Sequence, residues 1–439
     1  MSDHKRLRHK YILAIRHKRW IGITFVALFA FLGIYLLFKG SAAVPTLSLE
    51  AEKGTLAKAV VATDPTASDG RFIDLSGSSQ ATTNKIRLGI ATGTPYLPDG
   101  MTQTQYWDKI KELGVGWVRT DMLVSNYSDV KAADAVISQA KRIGVKLIMT
   151  VSYSYGGLGV DPNDGHSAPQ DPQAWADYVG GLAYYWEATA PGTVKAIEIW
   201  NEPNLSQFWT NVDPVAYADL LRRSYKTIKA GVPHMVVLSA GLSPGGSNWD
   251  ATVTSNQNPA TFLKKVYEYN NGSSNGLFDA VGYHPYETGV KDQINYSGGP
   301  PGGGYHGTHF VRQVMNQFGD QSKQIWGTEA GWHSCVNYGS STMTEEQRSF
   351  RFKGDLKDWF YGVHDSTGKS TGQFSQTSDW NTGPFMIFKL YKNTDSTGLG
   401  LIYANNTCTS GSSPSGYFEP QIIQDIKSFA ASPRDTVPQ

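Results

Sequence analysis

Two glutamates stand out by what surrounds them. Residues 199–204 read IWNEPN and residues 325–332 read IWGTEAGW, so Glu202 and Glu329, 127 residues apart, each close an apolar run that contains tryptophan. Such runs have the composition of buried strands, and a carboxyl group at a strand end sits at the edge of the interior. Two of these groups facing one another can divide an acid–base task, one protonated and the other ionised. Cleavage of a glycoside with retention of configuration is chemistry of that kind. Its carboxyls stand about 5–5.5 Å apart, one assisting departure of the leaving oxygen and the other attacking the anomeric carbon. A lone Glu at a strand end is otherwise an ordinary solvated or salt-bridged group, so the elements that place the pair decide the matter.

From residue 85 onward, strand-like runs alternate with amphipathic helical stretches. The strands are expected at 85–91, 116–122, 146–152, 194–200, 235–241, 280–286, 324–330 and 384–391. Helices are expected at 102–113, 129–142, 172–189, 214–230, 260–270, 308–318 and 344–361, with 420–431 after the last strand. Eight βα repeats over this length predict an α/β fold, the (β/α)8 or TIM barrel. The competing doubly wound open sheet offers a Gly-rich phosphate turn after its first strand, and IATGTPYLP lacks that spacing. A barrel gathers its reactive groups at the C-terminal ends of its strands. Glu202 follows strand four and Glu329 ends strand seven, which lie across the barrel from each other.

WNEPN and WGTEAGW resemble the acid/base and nucleophile motifs of the clan A retaining glycoside hydrolases, whose fold is a (β/α)8 barrel. The resemblance covers about residues 85–431, with both motifs in order and on the expected strands. It implies that Glu202 is the general acid/base and Glu329 the nucleophile. Asn201 matches the asparagine that binds the sugar 2-hydroxyl. Arg119, in WVRTD, matches the strand-two arginine that holds the nucleophile ionised; a structural ion pair with Glu198 or Asp121 is the plainer alternative. His284 and Tyr286, in GYHPYE, match the strand-six His-x-Tyr, whose tyrosine hydroxyl hydrogen-bonds the nucleophile. Pro203 is expected to bias Glu202 toward an extended backbone. Glu198 shares a strand face with Glu202 by period-two alternation and lies four residues deeper, which makes it structural.

Aromatic faces stack on sugar rings, so Trp209, Trp332, Tyr153, Tyr155 and Trp380 are platform candidates, with packing of the loops on themselves as the alternative. Many clan relatives carry a tryptophan at the end of strand eight; here the run is PFMIFKLYKN. The long segments 153–172 and 361–383 are expected to shape the cleft.

The formal charge of +1 hides an asymmetry. The first forty residues carry eight of the 39 Lys/Arg and one of the 38 Asp/Glu, leaving 31 basic against 37 acidic residues in the body. A nucleic-acid partner does not fit such a body. The basic stretch 1–19 reads as a cytoplasmic tail. It precedes the uncharged WIGITFVALFAFLGIYLLF, residues 20–38, which rises about 28 Å as a helix, close to the bilayer's hydrocarbon thickness. The reading is a transmembrane helix that places the body outside the cytoplasm, with signal-peptide cleavage near Ser41-Ala42-Ala43 as the alternative. Residues 39–84 form a linker with a possible β-hairpin, where SLEAEKGTL and TDPTASDGRFIDLSG resemble the opening strands of jelly-roll carbohydrate-binding modules. The catalytic domain is expected over 85–435.

Cys335 and Cys408 are the only cysteines. They fall in loops after adjacent strands seven and eight, which predicts a disulfide outside the cytoplasm. There is no HExxH or Cys-x-x-Cys, and DPNDGH is misspaced for a calcium loop, so no metal and no cofactor are implied. The sequence thus points to a retaining glycoside hydrolase acting on a poly- or oligosaccharide. Alternatives are a transglycosylase that remodels an envelope polymer, distinguished by products longer than the substrate, and a catalytically silent glycan-binding barrel.

Overall fold

The computed structural model describes residues 60–63, 71–74, 83–93, 101–123, 127–153, 164–246, 248, 250, 252–286, 304–332, 345–391, 400–404, 417–418, 421–434 and 437. The chain divides into two units, Met1–Gln80 and Ala81–Gln439. In the first, β1 (Val60–Thr63) and β2 (Arg71–Asp74) form an antiparallel hairpin with Val60 opposite Asp74. The expected tail and transmembrane run, Tyr155, and both cysteines lie outside the described residues. Among the described residues, no helix is long and apolar enough to cross a membrane.

The second unit alternates strands and helices. Its strands are β3 (Leu88–Ala91), β4 (Trp117–Leu123), β5 (Lys146–Ser152), β6 (Val194–Asn201), β7 (Val236–Gly241), β8 (Val281–Tyr283) and β9 (Ile325–Ala330); β12 (Thr382–Phe388) completes the set after a short hairpin. The helices are α1 (Gln103–Glu112), α2 (Tyr127–Ile143), α3 (Pro172–Thr189), α4 (Pro214–Gly231), α5 (Pro259–Tyr269), α6 (Gly304–Gln317), α7 (Glu345–Tyr361) and α8 (Gln421–Ala431). The eight strands form one sheet in the order β7-β6-β5-β4-β3-β12-β9-β8, and every paired neighbour is parallel. Parallel bridges Leu238–Ala280 and Leu242–Tyr283 join the two ends. This is the expected (β/α)8 barrel. The first expected strand begins late, because residues 84–87 form a 3-10 turn before β3.

Local chemistry sets the helix starts. Asp171-Pro172, Asp213-Pro214 and Asn258-Pro259 open α3, α4 and α5: the Asp or Asn side chain accepts from the next free amides, and proline, with no N–H to satisfy, takes the first turn. Packing is in two layers. Ala91, Trp117, Ile148, Ala196, Leu238, Ala280, Trp326 and Met386 cluster inside the barrel, with the Trp117 and Trp326 rings edge to face at 5.3 Å. The larger cluster joins the outer strand faces to the helices.

The segment 361–383 does not shape the mouth. It follows α7 and leads into the start of β12, which puts it at the N-terminal end of the barrel. There β10 (Gly362–His364) pairs with β11 (Ser370–Phe374). Trp380, a sugar-platform candidate in the sequence, stacks instead on the His364 ring at 3.5 Å. His364 lies between two carboxylates, Nε2 to Asp358 at 2.8 Å and Nδ1 to Asp379 at 2.6 Å. Burial works against its charged form, but the hydrogen bonds and charges of Asp358 and Asp379 prevail, and its pKa is raised. A raised imidazole pKa gives stability that is complete below the unfolded value of about 6.5 and is lost as pH rises through the folded one. His364→Ala is therefore expected to lower Tm more at pH 5.5 than at pH 9, by an amount on the order of 1 kcal/mol, or roughly 2 °C. Equal losses at both pH values in thermal melts would reject the charged clamp.

Candidate active site

Strand ends bring the expected residues together. Arg119 lies on β4 with its side chain sealed from solvent, and each guanidinium nitrogen has a different partner. Nε donates to Glu198 at 2.7 Å, Nη1 to Glu329 at 2.9 Å and Nη2 to the Asn201 side-chain oxygen Oδ1 at 2.7 Å. Burial opposes its charge, but Glu198, Asp121 and Glu329 outweigh that and raise its pKa. The structural ion pair and the contact with Glu329 thus coexist, since Arg119 pairs with Glu198 below and with Glu329 above. Thr150 donates a second hydrogen bond to the Glu198 oxygen that Arg119 holds.

Glu329 is gripped from two sides. Tyr286 Oη donates to Oε1 at 2.6 Å, while Arg119 holds Oε2. Burial first, and the adjacent Glu329 charge second, raise the Tyr286 pKa well above its ordinary value, so the phenol stays a donor. Glu202 has a different partner, His284 Nδ1 at 2.7 Å from Oε1. The other imidazole nitrogen, Nε2, lies 3.8 Å from Glu329 Oε2, so one ring stands between the two glutamates. Burial disfavours the imidazolium, but Glu329 and Glu202 together raise the His284 pKa.

The end of β6 and the residue after it depart from regular strand geometry. Trp200 and Glu202 have φ of 71° and 46°. Non-glycine residues held there cost on the order of 1–3 kcal/mol each. At Trp200 the alternation of faces breaks: Ala196 packs inside the barrel and Glu198 joins Arg119, yet Trp200 packs outward against Trp175 and Trp209. Asn201 consequently faces Arg119, and Glu202 follows it into the mouth. Glu202 therefore does not inherit its direction from Glu198, and its backbone is not extended as Pro203 suggested. The Glu202 N–H donates to the Gly241 carbonyl at 3.1 Å and the Trp200 indole to the Phe208 carbonyl at 2.7 Å, which fixes the bend.

Two platform candidates lie in the interior. Trp209 is 1% exposed, edge-on to Trp200 and Tyr217. Trp332 is 5% exposed; its indole donates to Asp355 at 2.6 Å and its ring packs on Phe352 and Phe385. Both rings are taken up by packing of the βα loops, so neither presents a face to a sugar. Tyr153 does reach the site, its hydroxyl accepting from the Asn201 amide at 3.0 Å, and it heads a half-buried aromatic wall with His166 and Phe208. The sequence reading also passed over Phe388, the last residue of β12. It is half-buried, 6.4 Å from the Tyr286 ring and 3.6 Å from where a Cβ on Gly93 would sit. Its signal was available: Met386 points into the barrel, so Phe388 shares that face by period two.

Gly241 is the site's least replaceable small residue. A Cβ there would stand 2.1 Å from His284 Nε2 and 2.6 Å from Thr328 Oγ1. Gly241→Ala is expected to displace the imidazole, destabilise the fold by about 1–3 kcal/mol and cut turnover of any substrate of this site by an order of magnitude or more. Thermal melts and steady-state rates of the variant check both effects; wild-type values would mean that the imidazole position is immaterial.

No family model matches the chain. Over 84 residues, 18% of this chain and 17% of the other, it is 29% identical to a β-xylosidase of Geobacillus stearothermophilus. Among solved structures it is similar to a family 39 glycoside hydrolase from Bacteroides cellulosilyticus WH2 at 17% identity and TM-score 0.53, over 79% of this chain but only 64% of that one. The GH39 enzyme of Xanthomonas axonopodis pv. citri matches at 17% identity and TM-score 0.51, covering 82% and 69% of the two chains. A glucosidase from Croceicoccus marinus matches at 13% identity and TM-score 0.51, covering 79% and 67%. At these identities the likeness is one of fold: the chain carries a (β/α)8 barrel of the kind found in family 39 glycoside hydrolases.

Proposed function

We propose that this protein is a retaining glycoside hydrolase acting on a poly- or oligosaccharide, with Glu329 as nucleophile and Glu202 as acid/base. The observation that carries the reading is the unequal partnering of two glutamates on opposed strands. Glu329 has a guanidinium and a phenol directed at it, the donors a carboxylate nucleophile needs. Glu202 has an imidazole, a partner able to exchange a proton with it. In the first step Glu202 protonates the leaving oxygen while Glu329 attacks the anomeric carbon. In the second, Glu202 takes a proton from water as the water oxygen attacks the anomeric carbon, and the bond to Glu329 breaks to release the sugar. Asn201, oriented by Arg119 and Tyr153, keeps an amide N–H for the 2-hydroxyl, and Phe388 supplies the stacking face that a strand-eight tryptophan gives in the resembled clan.

β-Xylosides and β-glucosides are the first substrates to try, because the similar proteins include a β-xylosidase and a glucosidase. The test of mechanism is the anomer released first. Proton NMR of a β-glycoside digest is expected to show the β-anomer before mutarotation. The α-anomer first would replace double displacement with single displacement, and products longer than the substrate would favour transglycosylation. The uncharged run 20–38 behind its basic flank supports an anchored, extracytoplasmic placement.

A further inference from the structure

One carboxylate in the mouth has no task in this scheme. Asp121 follows Arg119 by two residues on β4 and so shares its inward face. Arg119 is fully enclosed, whereas the Asp121 side chain is 23% exposed and within reach of a ligand. Its nearest cation is Arg119 Nη1, 3.5 Å from Oδ1, too far for a good hydrogen bond. Each guanidinium nitrogen already bonds Glu198, Glu329 or Asn201, and among the described residues Oδ1, itself sealed from solvent, has no hydrogen-bond donor, so a ligand meets the carboxylate from the Oδ2 side. Oδ2 lies 3.8 Å from where a Cβ on Gly93 would sit, and the Phe388 ring lies 3.6 Å from that same point. Among the described residues, glycine here therefore leaves a gap with an aromatic ring on one side and the Asp121 carboxylate on the other.

A carboxylate oxygen buried without a donor is costly, since its lost hydration is not replaced. Burial, against the pull of Arg119 and reinforced by Glu329 and Glu198, pushes its pKa up to about 6. Hydroxyl groups of a sugar are donors of the right reach, and ring stacking with a hydroxyl–carboxylate contact is how an amphipathic ring meets such a gap. We propose that Asp121 accepts hydrogen bonds from ring hydroxyls of the sugar stacked on Phe388, and thereby helps select which sugar the site takes. A charge-assisted hydrogen bond of this kind strengthens binding about ten- to a hundredfold. The proposal rests on the glycosidase reading only for the class of ligand.

The test measures binding of 4-nitrophenyl β-xyloside, β-glucoside and their 3- and 4-deoxy analogues to the full chain, by calorimetry in the Glu329→Gln background. Turnover is followed in parallel with Glu329 intact. Asp121→Asn, with Asp121→Ser as a second variant should the first fold poorly, is expected to weaken binding of at least one parent glycoside about ten- to a hundredfold. The analogue lacking the contacted hydroxyl should bind equally well with Asp121 present and with Asp121→Asn, the non-additivity of two groups in contact. Equal weakening of parents and all deoxy analogues would make Asp121 a support for Arg119 and overturn the proposal, as would no weakening or no binding of either parent. Binding with the expected pattern but no turnover by the protein with Glu329 intact would sink the glycosidase reading and leave the Asp121 assignment standing.

Discussion

Glu329→Gln is expected to lower kcat by a factor on the order of 10⁴ or more while leaving saccharide binding intact. The amide has the shape of the carboxylate and can keep both partners: its oxygen accepts from Arg119 Nη1, and its NH2 donates to the Tyr286 hydroxyl, which then acts as acceptor. What it lacks is the electron pair and charge needed to form a glycosyl ester. A loss confined to kcat therefore reports chemistry and not collapse of the site. Burst kinetics with an activated aryl glycoside, followed by mass spectrometry of the trapped protein, would show a glycosyl adduct on the chain with Glu329 and none on Glu329→Gln. Turnover within tenfold of the unmodified protein would remove Glu329 from the nucleophile's place.

The barrel was legible because its signals repeat. Each strand is an apolar run with small or polar breaks, and three helices open on Asp-Pro or Asn-Pro, a pair of residues whose capping chemistry works in isolation. That Glu202 and Glu329 share one mouth followed from the strand count. The strand ends were harder to read. Period-two alternation puts Glu202 on the face of Glu198, and the true arrangement has Trp200 turned outward by a left-handed backbone that no local sequence rule requires. Tertiary contacts select it: the Trp200 indole finds the Phe208 carbonyl, and the Glu202 amide finds Gly241 on the next strand.

Aromatic side chains misled for a related reason. Trp209 and Trp332 closely follow the motifs that carry Glu202 and Glu329, which suggested proximity to a sugar. A βα loop must bury something as it crosses the barrel rim, and an indole is the largest apolar group available. Trp380 illustrates the topological limit, since a residue just before a strand lies at the opposite end of the barrel from one just after it. Phe388 was overlooked, and Asp121 read only as an ion-pair partner, because their importance lies in what surrounds them: a glycine across the gap, and a guanidinium whose three nitrogens each bond another residue.

Glu202→Ala is expected to divide substrates by their leaving group. With a poor leaving group, as in a natural saccharide, loss of the acid should lower kcat/KM about 10²- to 10⁴-fold. With an aryl group of low basicity the first step needs no proton, so glycosylation of Glu329 should proceed and the covalent intermediate accumulate, because water then has no base to activate it. Azide needs no base, and the space vacated by the side chain admits it; addition should restore turnover and give a glycosyl azide of retained configuration. The same substitution removes one of the two carboxylates that raise the His284 pKa. Burial and the remaining Glu329 then act on the ring, and its pKa should fall. An NMR titration of the variant would record that shift independently of any substrate. If activated and unactivated glycosides lost activity by the same factor, with no rescue by azide, Glu202 would not be the acid/base. A His284 titration that nevertheless moved downward would then place Glu202 as the imidazole's structural partner, and the proton donor would have to be sought elsewhere in the mouth.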